Sequence, residues 1–325
     1  MLTGHHAPVR SYDAHALSNP STEFRGRLRL SVATTERQCS MIIAHLTDLH
    51  IRETGRPLAS GNVDCTARSA QAFERVANMN PRPDMMVVTG DLADSGQVGE
   101  YQLLKEMIEG LPFPVHLALG NHDIRENFLA VFPEKKGPGG FVQFCVEHDK
   151  LRVIGLDTLV EGEGLGRLCS ERLSYLRDCL QERPNTSTLI LLHHPPFAFG
   201  GGIYDAVRLI DGATELGEII TANKQVVRLL CGHHHRAIDC LWHGTLASVA
   251  PSVVSSCHLQ LGDVRVFKNI NEPPAFKLHV LVPESGFVSH NVFVEEFGPA
   301  YENIPDPNYQ ALASMRKQTA LAASR

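Results

Sequence analysis

Short apolar runs recur along the chain at Met41–Leu46, Met85–Thr89, Val115–Leu119, Thr188–Leu192 and Val226–Cys231. Each is too short for a helix and rich in Val, Ile, Leu or Met, which predicts strands buried on both faces. A further strand is predicted at Leu151–Asp157. Between them the apolar spacing changes to that of helices. Asp64–Asn80 carries Ala70, Phe73, Val76 and Ala77 on one face, with Asp64 as N-cap and Pro81 and Pro83 closing the segment. Gln97–Glu109 repeats the pattern through Leu103, Leu104, Met107 and Ile108, and Ser170–Gln181 through Leu173, Leu176 and Leu180, with Ser170 as cap. Leu216–Ala222 adds a helical turn. Short strands follow at Asp239–Trp242, Thr245–Ala250, Phe276–Val282 and Phe287–Val294. This alternation predicts an α/β fold.

Polar residues of one chemical kind follow the apolar runs. In chain order they are Asp48-Leu49-His50, Gly90-Asp91, Gly120-Asn121-His122-Asp123, His193-His194-Pro195-Pro196 and Gly232-His233-His234-His235. Singly, each is an ordinary turn. Together, five strand ends presenting Asp, Asn and His describe one crevice at the carboxyl edge of an α/β sheet. Hard oxygens mixed with imidazoles suit first-row metal ions better than a closed structural zinc site. Asp48, His50, Asp91, Asn121, His193, His233 and His235 are the candidate ligands, more than one octahedral ion needs from protein. Two ions about 3.5–4 Å apart, sharing a carboxylate, account for them. Residues i and i+2 of an extended segment face the same side, so Asp48 pairs with His50, and His233 with His235. His234 then faces away and reads as a solvated or structural histidine. His193 and His194 point to opposite faces, so one of them is a ligand. His45 and His116, inside apolar runs, read as core histidines.

These five motifs resemble those of the calcineurin-like metallophosphoesterase family over roughly Met41 to Val266, and within it the class III cyclic-nucleotide phosphodiesterases and their glycerophosphodiesterase relatives in bacteria. The resemblance implies a four-layer αββα sandwich, two packed mixed sheets flanked by helices. It implies that Asp48, His50, Asp91 and His235 hold one metal and that Asp91, Asn121, His193 and His233 hold the other. It also favours His193 within its doublet, leaving His194 to line the pocket or pack. The catalytic pair would be His122, contacting the phosphoryl or leaving-group oxygen, and Asp123, orienting it. Metal-bound hydroxide would attack a phosphodiester, with 3',5'-cyclic AMP as the expected substrate and glycerophosphodiesters or broader phosphoesters as the alternative. Iron with manganese is the expected metal pair, with zinc or cobalt as substitutes. A non-catalytic scaffold of the same fold is the competing class, and the intact ligand set weighs against it.

Composition narrows the partners. The chain has 325 residues, 43% of them hydrophobic and 20% charged, with a net charge of −6. That balance fits a globular enzyme and disfavours a nucleic-acid footprint, which would be basic. No stretch reaches the length of a membrane span, and the start of the chain lacks the apolar region of a signal peptide. The eight cysteines show no C-x-x-C spacing and read as reduced thiols of a cytoplasmic protein. No Gly-x-Ser-x-Gly elbow occurs, and Gly200-Gly201-Gly202 lacks the ending of a phosphate loop, so it reads as a flexible turn. After His193, Phe197, Phe199 and Tyr204 are candidates to face substrate. Residues 1–40 read as a poorly ordered extension, 41–298 as the catalytic domain and 299–325 as a tail. Asn308–Ala323 of that tail has helical spacing, and the sequence leaves open whether it docks on its own domain, on a second copy in a homo-oligomer, or on neither.

Overall fold

A computed structural model describes residues 41–53, 63–149 and 151–301. The expectations for residues 1–40 and for the helix at Asn308–Ala323 lie outside them. One sheet holds, in spatial order, β15 (Gly286–Phe293), β14 (Ala275–Val282), β1 (Met41–Leu46), β2 (Met85–Thr89) and β3 (Val115–Ala118). The other holds β10 (Ile238–Trp242), β11 (Thr245–Val249), β9 (Val226–Cys231), β7 (Ser187–Leu191), β5 (Leu151–Gly155) and β4 (Phe144–His148). In both, a parallel centre is finished by antiparallel edges: β1, β2 and β3 run together, as do β5, β7, β9 and β11. Two small pairs lie outside these sheets. They are β6 (Gly166–Arg167) with β8 (Leu209–Asp211), and β12 (Ser256–Cys257) with β13 (Asn269–Ile270).

The period-2 alternation of the strands divides the apolar residues into three cores. Met41, Ile43, Met85 and Val87 from one sheet meet Leu151, Val153, Leu189, Leu191 and Leu230 from the other. The opposite faces of β1 and β2 present Ile42, Ala44, Leu46, Met86 and Val88 to helices α1 (Cys65–Ala77), α2 (Val98–Glu109) and α3 (Arg125–Val131). Ile154, Ile190, Leu229 and Cys231 of the second sheet meet α4 (Ser170–Glu182) and α6 (Ala213–Ala222). The result is the four-layer αββα sandwich. Each fully buried Leu, Ile or Val contributes about 1.5–3 kcal/mol, and the inter-sheet residues are almost wholly enclosed.

Helix starts follow local chemistry. Asp64 caps α1, its side chain accepting from Ala67 N at 3.0 Å. At α2, Glu100 reaches back to Gln97 N at 2.9 Å. At α4 the cap is Cys169, and Ser170 is the first helical residue instead of the cap its hydroxyl suggests. A fifth helix, α5 (Ile203–Ala206), is a single turn after the glycines.

Candidate metal centre

The parallel strands of both sheets run toward one end of the sandwich, and the motif loops leave them there. The crevice therefore lies between two sheets and not at the edge of one. Backbone bonds tie the loops in pairs. Asp48 N donates to Gly90 O and His50 N to Asp91 O, both at 3.0 Å, and Gly232 N donates to His193 O at 2.9 Å. Among the described residues, seven non-glycine positions have left-handed backbone, and five of them are Asp48, His50, Asp91, His233 and His235. Such conformations cost roughly 1 kcal/mol or more each and persist where surrounding structure imposes them. Strain concentrated on five of the seven candidate ligands marks a functional site independently of any motif. Gly90, with φ +100°, allows close contact: a Cβ there would overlap the His193 ring.

The seven side chains converge into two groups with one oxygen in common. His50 Nε2 lies 3.2 Å from His235 Nε2, and His235 Nε2 lies 3.3 Å from Asp48 Oδ1. His193 Nε2 lies 3.1 Å from Asn121 Oδ1 and 3.2 Å from His233 Nδ1. Asp91 Oδ2 faces both groups, 3.7 Å from His50 Nε2 and 3.4 Å from His193 Nε2. Its other oxygen accepts from His122 N at 2.9 Å.

Hydrogen bonds behind the rings set their tautomers. A carbonyl can only accept, so His193 Nδ1–H donates to Thr89 O at 2.7 Å and His235 Nδ1–H to Ser255 O at 2.9 Å. Their Nε2 lone pairs then point into the cluster, as in metal-ligating histidines. His50 Nδ1 faces the Asp94 carboxylate at 3.4 Å, while its Nε2 is the nitrogen that lies against His235 in the cluster. Nitrogens facing each other at 3.2 Å repel unless a cation or a proton lies between them. The donor set thus fits two cations sharing Asp91.

Within the cluster, carboxylates and imidazoles hold one another's charges. Burial works against the charge of Asp91, but His193, His122 and His50 outweigh it and hold the carboxyl well below the usual range. Burial also opposes a charge on His193, yet Asp91 and Asp48 raise it to about 9. Burial and then the neighbouring histidines push His233 well below its ordinary value.

His122 is exposed at the rim of a cavity of about 230 Å³, also lined by Asp91, Asn121, His233, His234 and His235. Its Nδ1–H donates to Asp94 O at 2.8 Å. Burial disfavours its charged form, but Asp91, that carbonyl bond, Asp94 and Asp123 together raise its pKa. Asp123 does not orient the ring as expected. Its buried carboxylate accepts from Leu92 N, Ala93 N and Gly120 N at 3.2, 3.0 and 2.8 Å, and from Tyr101 Oη at 3.1 Å. It therefore braces two motif loops, while the Asp94 carbonyl orients His122. Burial, then Asp91, raises Asp123 to about 7.

Other expectations change too. Of the two readings of His234, the solvated one fails: it is 1% exposed, stands outside both donor groups and lines the cavity. An extended register fails there because the left-handed backbone at His233 and His235 breaks the alternation. Phe197 joins the core against the second sheet, Tyr204 lines the cavity, and Phe199 packs on His234 with centroids 4.9 Å apart. His194 is buried, with Nδ1 2.8 Å from Thr158 Oγ1. His45 is the satisfied core histidine expected, bonded to His279 and Thr89, and His116 pairs with His148. Asp94, which also pairs with Arg52 at 2.5 Å, went unread in the sequence. So did Val207, Cys257 and Phe267 of the cavity wall. Asp94 stands only three residues after Asp91, a faint signal. Phe267 is distant in sequence from every motif and gives none.

A family model, calcineurin-like phosphoesterase, matches residues 41–237. The chain belongs to this family. "Probable glycerophosphodiester phosphodiesterase GpdQ" of Arcobacter nitrofigilis is 32% identical over 80% of the chain and 96% of that protein. "Probable cyclic nucleotide phosphodiesterase RPA0124" of Rhodopseudomonas palustris is 32% identical over 79% of the chain and 93% of that protein. Among solved structures, a dimetal phosphatase from Danio rerio aligns with TM-score 0.55 at 12% identity, covering 79% of this chain and 100% of that one. That likeness shows the fold. Among the described residues, no helix is long and apolar enough to cross a membrane, and seven cysteines are free.

Proposed function

We propose that this metallophosphoesterase hydrolyses phosphodiesters, with 3',5'-cyclic nucleotides as the preferred substrates. The observation that carries the reading is Asp91 Oδ2, common to two donor clusters at the floor of a cavity. Asp48, His50, Asp91 and His235 would hold one cation, and Asp91, Asn121, His193 and His233 the other. Iron with manganese suits this set of oxygens and imidazoles, with zinc or cobalt as substitutes. When bound, such a pair acidifies a water and offsets charge on the phosphoryl oxygens. Asn121 adds an oxygen donor without adding charge.

The remaining work falls to the protein. His122 Nδ1 is committed to the Asp94 carbonyl, which leaves Nε2 to face the cavity. Held by that carbonyl, the ring would present an Nε2 proton to the departing alkoxide. Tyr204, Val207 and Phe267 give part of the cavity wall an apolar character that suits a second ester group. A glycerophosphodiester is the second reading, favoured by the relative from Arcobacter nitrofigilis. A cytoplasmic location, where thiols stay reduced, agrees with the free cysteines.

The test is a substrate panel on protein of measured metal content, with manganese added. It comprises 3',5'-cyclic AMP, 2',3'-cyclic AMP, glycerophosphocholine, bis-p-nitrophenyl phosphate and p-nitrophenyl phosphate. Diesters should exceed the monoester in kcat/KM, with 3',5'-cyclic AMP leading the natural compounds. A clear preference for the monoester would overturn the diesterase reading, and absence of bound or activating metal would favour a scaffold.

A further inference from the structure

His234 lines the cavity, and neither cation cluster uses it. Its side chain is 1% exposed, and neither ring nitrogen has a hydrogen-bond partner. In either neutral tautomer an imidazole carries one donor and one acceptor. Leaving both unmade in a buried position is unfavourable, and native structures satisfy nearly all such groups. A partner supplied from the cavity resolves this.

The surroundings define what that partner looks like. Phe199 packs on one side of the His234 ring. Tyr204 is pinned by its hydroxyl, which donates to Lys268 O at 3.2 Å and accepts from Lys268 N at 2.9 Å. Phe267 meets the Tyr204 ring nearly edge-on, with centroids 4.9 Å apart, and remains 48% exposed at the cavity. Asp91 is the only carboxylate among the described lining residues, and it is committed to the cation clusters. This side of the cavity therefore offers flat apolar surface and an unpaired hydrogen-bonding ring, with no free negative charge. Such a wall complements a neutral heteroaromatic group with donors and acceptors on its edge. It offers no free carboxylate to the cation of a choline ester, and the unpaired His234 ring has nothing to bond on a trimethylammonium group, which carries neither donor nor acceptor.

We propose that His234 is a specificity-determining residue: it hydrogen-bonds a nucleobase carried by the substrate, with Tyr204 and Phe267 as the apolar wall. This rests on the phosphodiesterase reading above. The test uses the full chain loaded with manganese, its metal content measured, as parent, His234→Leu and His234→Asn. Two diesters with the same leaving group are compared, thymidine 5'-(p-nitrophenyl phosphate) and methyl p-nitrophenyl phosphate. The ratio of their kcat/KM values should fall roughly 10- to 100-fold in His234→Leu and recover in part in His234→Asn, which restores a donor and an acceptor. An unchanged ratio, or loss of metal from the variants, would overturn the assignment. Calorimetric affinities for AMP and inorganic phosphate give a reading that needs no turnover. His234→Leu should weaken AMP about tenfold more than phosphate, and equal weakening would overturn the proposal. If the parent cleaves neither diester while AMP still loses its advantage in the variant, the phosphodiesterase reading fails and the base contact stands.

Discussion

At the scale of single residues, Asp91 faces both donor clusters through one oxygen while its other oxygen holds the His122 backbone. Asp91→Ala should therefore lower the occupancy of both cations and reduce turnover by roughly 10²–10³-fold or more, given what the loss of one electrostatic group costs. Elemental analysis with turnover at saturating manganese checks this, and activity within tenfold of the parent contradicts it. His122 stands apart from the clusters. His122→Ala should keep two cations per chain and lose about 10²–10⁴-fold in kcat, as for a proton donor. Cation loss in step with activity would make His122 a ligand instead. Asp94 acts on both, with its carboxylate behind His50 and its carbonyl on His122. Only the carboxylate is removed by Asp94→Asn, so cation affinity should fall about 10- to 100-fold while the His122 contact survives. A manganese titration of activity reads this as a raised half-saturation concentration with a conserved maximum.

At the scale of elements, what the sequence revealed depended on how local the physics is. The strands before the motifs were legible within a residue or so, because burial on both faces leaves an uninterrupted apolar run. Helix α1 was legible with its cap, since Asp64 bonds three residues ahead. At α4, Ser170 looked the better cap, but the cap is set by backbone conformation and Cys169 has the extended one. The contacts of Asp123 and the burial of His234 were not legible because they depend on loops from different strands meeting in space. Asp123 follows β3 yet braces the loop after β2, and no spacing encodes that contact. The α2 start carries a prediction of its own. Buried Glu100 accepts from Ser95 N, Ser95 Oγ and Gln97 N at 3.1, 2.8 and 2.9 Å, ordering the turn just after Asp94. Glu100→Ala should cost about 1–3 kcal/mol in urea unfolding. A change below about 0.5 kcal/mol, the usual surface range, would show that water replaces the carboxylate without loss.

At the scale of the whole molecule, the two sheets meet over an apolar layer that a polar chain interrupts near the site. His45 Nε2 lies 2.9 Å from Thr89 Oγ1, His45 Nδ1 lies 3.1 Å from His279 Nε2, and His279 Nδ1 lies 2.7 Å from Ser289 Oγ. Thr89 O in turn accepts from His193, so the chain runs from the candidate centre to the outer strand β15. Lys277, also buried, pairs with Asp239 at 2.7 Å. Burial first, then Lys277 and Arg228, push His279 from its ordinary 6.5 to about 3, against the weaker opposing pull of Asp239. His45 is lowered as well, by burial and then by His279 and Lys277. The sign follows from proton counting. Below pH 6.5 the unfolded chain takes up a proton at His279, and the folded chain does not until about pH 3. The stabilising contribution of a neutral His279 is thus complete above pH 6.5 and is lost as pH falls from there toward 3. Between pH 7 and 5.5 the linkage amounts to about 1 kcal/mol for one such histidine. Chelated protein is the sample to use, because acid would otherwise release cations and mask the effect. The raised histidines of the centre contribute with opposite sign, and they do so equally in parent and variant. Urea unfolding of parent and His279→Gln at both pH values should therefore show the variant losing about 1 kcal/mol less on acidification, whatever its stability at pH 7. Equal losses would mean that His279 takes up its proton in the folded chain near pH 6.5, with water reaching between the sheets.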